Sequence, residues 1–145
     1  MKYHFKVHRD KEAGYWARGM ELSGCLSQGE TLEELRLNLE EALNLYLSEA
    51  KDSKVVFPAP KRRVTRSKWV WAIDVDPKVA FAMTLRNLRL RKKMTQAQMK
   101  ARLGIKHLSD YQRLEDPARA NPRLVTLKKI KSAFPSLKID DILAA

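Results

Sequence analysis

The residues best suited to chemistry in this chain lie between positions 94 and 115, in the stretch MTQAQMKARLGIKHLSDYQRLE. Thr95 and Gln96 open one short helical segment there, and Lys106, His107, Ser109, Asp110, Gln112 and Arg113 surround a second. Gln and Arg are the side chains that make two hydrogen bonds to an adenine or guanine edge in the major groove, while Lys and helix N-termini hold phosphate. The chemistry on offer is therefore recognition of nucleic acid. Bond making has thinner support. His4 and His8 share one face of a strand with no third ligand in view, which points to an exposed polar face facing solvent and not to a metal site. Cys25 is the single cysteine, so it has no partner for a disulfide or a zinc site. Two-metal hydrolysis needs carboxylates converging from strands and a helix, and only Glu21 and the turn acids Asp10 and Glu12 are near strands. No Ser-His-Asp or Cys-His set has a spacing to recommend it. The expectation is a protein without catalysis, cofactor or metal.

Charge separates the chain into two parts. Residues 1 to 60 hold 8 Lys and Arg against 10 Asp and Glu, whereas residues 61 to 145 hold 21 against 7. Such asymmetry favours two modules with different partners, the basic one meeting a polyanion such as DNA. The competing reading is a helical module for protein contact, whose cations merely keep it solvated. With 145 residues, 44% of them hydrophobic, there is enough chain for two small cores. No apolar run approaches a membrane span, and the opening MKYHFKVHRDKE lacks the apolar core of a signal peptide, so a cytoplasmic location is expected.

These residues need elements to hold them. In YHFKVHRD, Tyr3, Phe5 and Val7 alternate with His4, Lys6 and His8, the pattern of a half-buried strand. A turn closed by Gly14 leads into Tyr15 to Arg18 as a hairpin, and CLS, residues 25 to 27, offers a short third strand. Thr31 then opens a helix through the capping box TLEE, with Leu32, Leu35, Leu39, Ala42, Leu43 and Tyr46 on its buried stripe. Pro58, Pro60 and the cations of KRR mark a connector. In WVWAIDVDP, the alternation of Trp69, Trp71 and Ile73 predicts a strand, which either completes the first sheet or pairs with its copy in a second subunit. From Pro77 the pattern is helical. The first helix packs through Phe81, Leu85 and Leu88 with Arg86 and Arg89 directed elsewhere. A second runs from Thr95 to Leu103 and stops at Gly104, and a third covers about 107 to 114. RLVTLKKIKSAF is a fourth and IDDILAA a last turn or two. The expected organisation is residues 1-60 as one domain, 61-77 as a basic linker and strand, and 78-145 as a second domain. The fold class is α+β, a small antiparallel sheet with one packed helix followed by an all-α helix-turn-helix domain.

The motifs LRNLRLRKKMTQAQMKARLG, RLE and NPRLVTLKKIKSAF resemble the Cro/C1-type helix-turn-helix domains over residues 79 to 134 or so. Two departures stand out: Lys100 occupies a position where that family has a small Ala, and the segment from Gly104 to Glu115 is one residue longer. The N-terminal stretch EAGYWARGMELSGCLSQGETLEELRLNLEEALNLYL resembles the HicB antitoxins through Gly14 and Tyr15, Gly24 and Cys25, Gln28 to Thr31 and the Leu/Ala helix, with MEL in place of that family's usual approach to the Gly-Cys turn. This second resemblance covers about residues 2 to 60. It implies a partial RNase H-like N-terminal fold and an antitoxin that masks a HicA-like mRNA-cleaving toxin while its C-terminal domain represses the operon.

On that reading Glu12, Glu21, Glu30, Glu33 and Glu34 form the face for a basic toxin, and Thr95, Gln96, Lys106, His107, Ser109, Asp110, Gln112 and Arg113 face operator DNA. Trp69, Trp71 and Ile73 are candidate dimer contacts. One short helix reads DNA weakly, so a homodimer or higher oligomer is expected, placing two such helices roughly 34 Å apart on a palindromic site. The alternative is a freestanding transcription regulator whose first domain only oligomerises.

Overall fold

The computed structural model describes residues 1–12, 14–48 and 53–140, and divides the chain into two compact units. The first consists of Met1–Leu47 and Phe57–Val75, the second of Ser48–Val56 and Asp76–Ala145. The chain is α+β, as the periodicities require.

In the first unit, β1 (Lys2–Asp10), β2 (Gly14–Gly19), β3 (Leu26–Gly29) and β4 (Val70–Asp74) form one antiparallel sheet in the order β3-β2-β1-β4. Alternation sends Tyr3, Phe5, Val7, Ala17 and Ile73 to one face, where they are buried under α1 (Leu32–Leu47). The inward stripe of α1 is Leu35, Leu39, Leu43 and Leu47. Leu32, expected on that stripe, is instead 40% exposed, because it precedes the first turn that reaches the sheet. Thr31 does cap α1, its hydroxyl accepting from the Glu34 backbone N–H at 3.1 Å. The returning bond of the box is shifted by one residue, since the Glu34 carboxylate accepts the Glu30 N–H at 2.9 Å.

Several local expectations are corrected. The third strand is Leu26–Gly29 and not residues 25 to 27, so Cys25 lies before it, buried, with its thiol pushed up to about 11 by desolvation. The strand after the connector pairs with β1, from Lys2 opposite Asp74 to Lys6 opposite Val70, and so completes the first sheet. Of the two alternatives open for the strand within 61-77, sheet completion is the one observed, and just before that segment Phe57 is buried, its ring tilted 5.6 Å from that of Tyr46, while the Tyr3 hydroxyl donates to the Pro58 carbonyl at 2.7 Å. The connector's cations consequently belong to the first unit. That unit carries 11 Lys and Arg against 9 Asp and Glu, and the second 18 against 8, so a strong basic excess remains only in the second.

The second unit is helical: α2 (Pro77–Arg91), α3 (Gln96–Arg102), α4 (Leu108–Leu114) and α5 (Leu124–Ala133). Asp76 caps α2 by accepting the Lys78 N–H at 2.8 Å, ahead of a Pro that needs no donor partner. Thr95 and Gln98 form a reciprocal capping box on α3. At the other end Gly104, with φ +62°, lets its N–H reach Ala101 and that of Ile105 reach Lys100, which ends the helix in a Schellman pattern. The core joins Phe81, Ala82, Leu85, Met99, Leu103, Tyr111, Leu114, Ile130 and Phe134. Arg86 and Arg89, expected away from the packed side of α2, are themselves buried. Most of IDDILAA lies outside the described residues.

Among the described residues no helix is long and apolar enough to cross a membrane.

Candidate functional site

Two surfaces gather the candidate residues, one in each unit. In the second unit, α3 and α4 flank a turn whose path is fixed by Gly104 and by Lys100, whose ammonium donates to the Lys106 carbonyl at 3.3 Å. Lys100 is therefore no intruder in the packing. Its long side chain leaves the helix and braces the turn, while Met99 and Leu103 fill the interior.

Beneath α3 and α4 lies a buried carboxylate. Glu115 accepts from Arg89 Nε at 2.6 Å and from Arg89 Nη2 at 2.8 Å, a two-pronged pair, and also from the Tyr111 hydroxyl. Arg89 further donates to the Met94 carbonyl at 3.1 Å, so one guanidinium joins α2, the turn before α3 and the end of α4. The hydrogen bonds that Arg89 donates to Glu115 raise its pKa against the opposing effect of burial, and desolvation with the Glu115 charge raises that of Tyr111. Gln96 Nε2 donates to Glu115 Oε2 at 3.1 Å, and Gln112 Nε2 donates to Gln96 Oε1 at 3.2 Å. The buried anion thus orients a chain of two glutamines that ends at the surface.

Gln96, Ser109, Gln112 and Arg113 line one open hollow together with Arg86, Glu115 and Arg119. The structure so brings together four of the eight residues expected to meet DNA. Thr95 is spent on its cap, while Lys106, His107 and Asp110 stand exposed at the start of α4, His107 as an N-cap without a side-chain bond. Arg86, Arg89, Tyr111, Glu115 and Arg119 were missed as site builders. The spacing of Ala82, Arg86 and Arg89 continues the packed face of α2, and that helical register was the available signal.

In the first unit, four of the five acids expected to meet a basic partner come together. Gly14, with φ +82°, lets the β1–β2 turn close against the end of β3: a Cβ there would lie 2.6 Å from the Gly29 carbonyl oxygen and 2.8 Å from Glu30 Cα. Gly29 in turn sits under the Leu35 N–H. These two contacts place Glu12, Glu30, Glu33 and Glu34 at one end of the sheet, all exposed, with Asp10 beside them and Arg9 and Lys11 as the neighbouring cations.

Glu21 does not join them. Its side chain is only 2% exposed, 2.7 Å from His4 Nδ1, and it accepts the backbone N–H groups of His4 at 3.0 Å and Lys61 at 3.1 Å. Burial alone would raise its pKa, but these bonds outweigh that and hold it below the ordinary glutamate value. Glu21 is a structural clasp between β1 and the connector. His4 and His8 are likewise not bare solvent-facing side chains, since His8 stacks on Trp16 with ring centroids 4.2 Å apart. Nor do the candidate dimer contacts stand free. Ile73 is 1% exposed and packs in the core, while the half-buried Trp69 and Trp71 lie under Lys68 and Arg36, at 5.2 and 4.9 Å.

No three His, Cys, Asp or Glu side chains among the described residues gather as a metal-holding group. No protein-family model matches the chain. It is similar to a UPF0150 protein of Helicobacter pylori, with 40% identity over 53 residues that make up 37% of this chain and 74% of the relative. With that identity spread over most of the relative's length, the chain belongs to the UPF0150 family.

Proposed function

We propose that this chain is a HicB-type antitoxin: its first unit binds and masks a small basic mRNA-cleaving toxin, and its second unit represses the operon that encodes both. UPF0150 is the family to which HicB belongs, and the carrying observation is the gathering of Glu12, Glu30, Glu33 and Glu34 at one end of the sheet of a UPF0150 chain. Charge complementarity of this kind speeds encounter and selects a basic partner.

The operator reading rests on a different set of residues. Gln96, Gln112 and Arg113 share one rim, the buried Glu115 holds the first of them in place, and the unit's basic excess supplies the phosphate attraction. Two copies of α4, one from each protomer of a dimer, would read the two halves of a palindrome.

Co-expression with a small basic protein, should one be encoded beside this chain, tests the antitoxin reading. Co-purification and rescue of growth are expected, with rescue weakened by Glu30→Lys combined with Glu33→Lys. If the two proteins do not co-purify and the neighbour is equally toxic with or without this chain, the antitoxin reading is lost and a freestanding regulator remains.

A further inference from the structure

The sheet of the first unit has two faces, and α1 covers one. By alternation and register the other carries Lys6 opposite Arg18, His8 opposite Trp16, Trp16 opposite Gln28 and Arg18 opposite Leu26. Lys6, Arg18, Gln28 and Leu26 are exposed, and Trp16 keeps 37% of its surface accessible. Like charges placed directly opposite each other across strands destabilise a sheet. Neither Lys6 nor Arg18 has an ion pair with an acid among the described residues. Of the acids on or against this face, Asp74 lies 3.6 Å from Lys2, Asp10 is at the hairpin end, and the Glu21 carboxylate is taken up by the His4 ring at 2.7 Å and by backbone N–H groups. Beside the two cations, His8 and Trp16 form a nearly parallel stack, with an angle of 15° between the rings.

Two unneutralised cations next to a flat aromatic stack on an open sheet suit one ligand chemistry, a phosphodiester chain whose bases are unpaired. Cations track the backbone, and aromatic rings receive bases whatever their sequence. A basic toxin is disfavoured on this face by charge, just as it is favoured at the acidic end. We propose that the open face of the sheet binds single-stranded polynucleotide, with a base continuing the His8–Trp16 stack and Lys6 and Arg18 on flanking phosphates. The site is separate from the rim of α3 and α4, and does not depend on the antitoxin reading.

The test uses the full chain and homopolymers of about ten nucleotides, oligouridylate and oligothymidylate, a length within the range that sheet-based single-strand sites cover. Tryptophan fluorescence and anisotropy follow binding. We expect quenching on addition of either oligomer, the two arms showing whether ribose or deoxyribose is preferred. Trp16→Ala should weaken binding about tenfold, the order expected for one lost base stack. Lys6→Glu with Arg18→Glu, both at exposed positions, should weaken it further and flatten the log–log salt dependence by about 1.4, for two phosphate contacts. Gel shifts on operator duplex should be unchanged by these variants, while Arg113→Ala should weaken the duplex shift and leave the quenching intact. Unchanged oligomer affinity in both sheet variants, or loss of quenching in Arg113→Ala alone, would place single-strand binding on the helical unit and overturn the proposal. So would loss of toxin co-purification in the Lys6→Glu, Arg18→Glu variant with oligomer affinity unaltered, which would assign the face to a protein.

Discussion

Among the described residues, Glu21 of the first unit and Glu115 of the second have buried carboxylates, and the two are held very differently. Glu115 meets a guanidinium in two-pronged geometry, a phenol and an amide, all from side chains on helices α2, α3 and α4. Glu21 meets two backbone N–H groups and one imidazole, and joins the sheet to a connector. The Arg89 guanidinium is always charged and meets its anion through two N–H groups at once, so the first arrangement is a fixed electrostatic bracket, whereas the second relies mainly on backbone dipoles. The first also reaches a surface that could read DNA, through Gln96 and Gln112. The second orders a chain segment and reaches no candidate site. A buried charge is therefore no guide to function until its hydrogen bonds are traced outward.

Removing Glu115 tests this contrast most severely. Glu115→Ala leaves Arg89 buried without its anion, and breaking such a pair costs about 3–5 kcal/mol. All three tryptophans, Trp16, Trp69 and Trp71, belong to the first unit, so fluorescence follows that unit while far-ultraviolet dichroism is weighted toward the helical one. The dichroism midpoint should fall by more than about 10 °C with little change in the fluorescence midpoint. Equal falls in both would show that the two units unfold together and would undo the comparison.

At the surface end of the same network, Arg113→Ala or Gln112→Ala should cost about 1–3 kcal/mol in operator affinity and leave both midpoints in place. Gel shift at low salt measures it, and a wild-type complex that does not weaken steeply as salt rises would sink the phosphate contribution.

Glu21→Ala leaves two N–H groups without their acceptor, at about 1–3 kcal/mol, read this time by fluorescence. Acid should act in the same direction. Because the folded pKa of Glu21 lies below its ordinary value of 4.5, its contribution is fully present above that pH and is lost as pH falls through the lower folded value. The fluorescence midpoint of the wild type should therefore drop more steeply below pH 4.5 than that of Glu21→Gln. Parallel acid profiles would mean that the clasp does not depend on the carboxylate charge.

The smallest effect belongs to a cap. Thr95→Ala removes the acceptor for the Gln98 N–H and should lower the dichroism midpoint by an amount equivalent to about 1 kcal/mol, without moving fluorescence.

Local rules went a long way in the helical unit. Pro77, Thr95 and Gly104 each fix a helix end through their own backbone chemistry, so the start of α2 and both ends of α3 were legible to within a residue. The sheet was less so, because strand ends depend on partners: the third strand slid to Leu26–Gly29 once Tyr15 had to face Gly29. Pairing between positions as distant as Lys2 and Asp74 carries no local mark, and that pairing moved the connector into the first unit. Of the candidate acids, Glu21 looked like the other four in sequence. Only the approach of His4 and Lys61 took it out of solvent.

By itself, then, the sequence determined the period of each element, the caps and the residue types available at each surface, because these follow from chemistry within one or two turns of chain. Which side chains ended together was decided by the tertiary structure. It turned Arg89 inward to Glu115, closed Gly14 against Glu30 so that scattered acids became one cluster, and left Lys6, Arg18 and Trp16 side by side on an uncovered sheet. Those outcomes come from packing between segments remote in sequence, where burial and hydrogen-bond satisfaction outweigh any local preference.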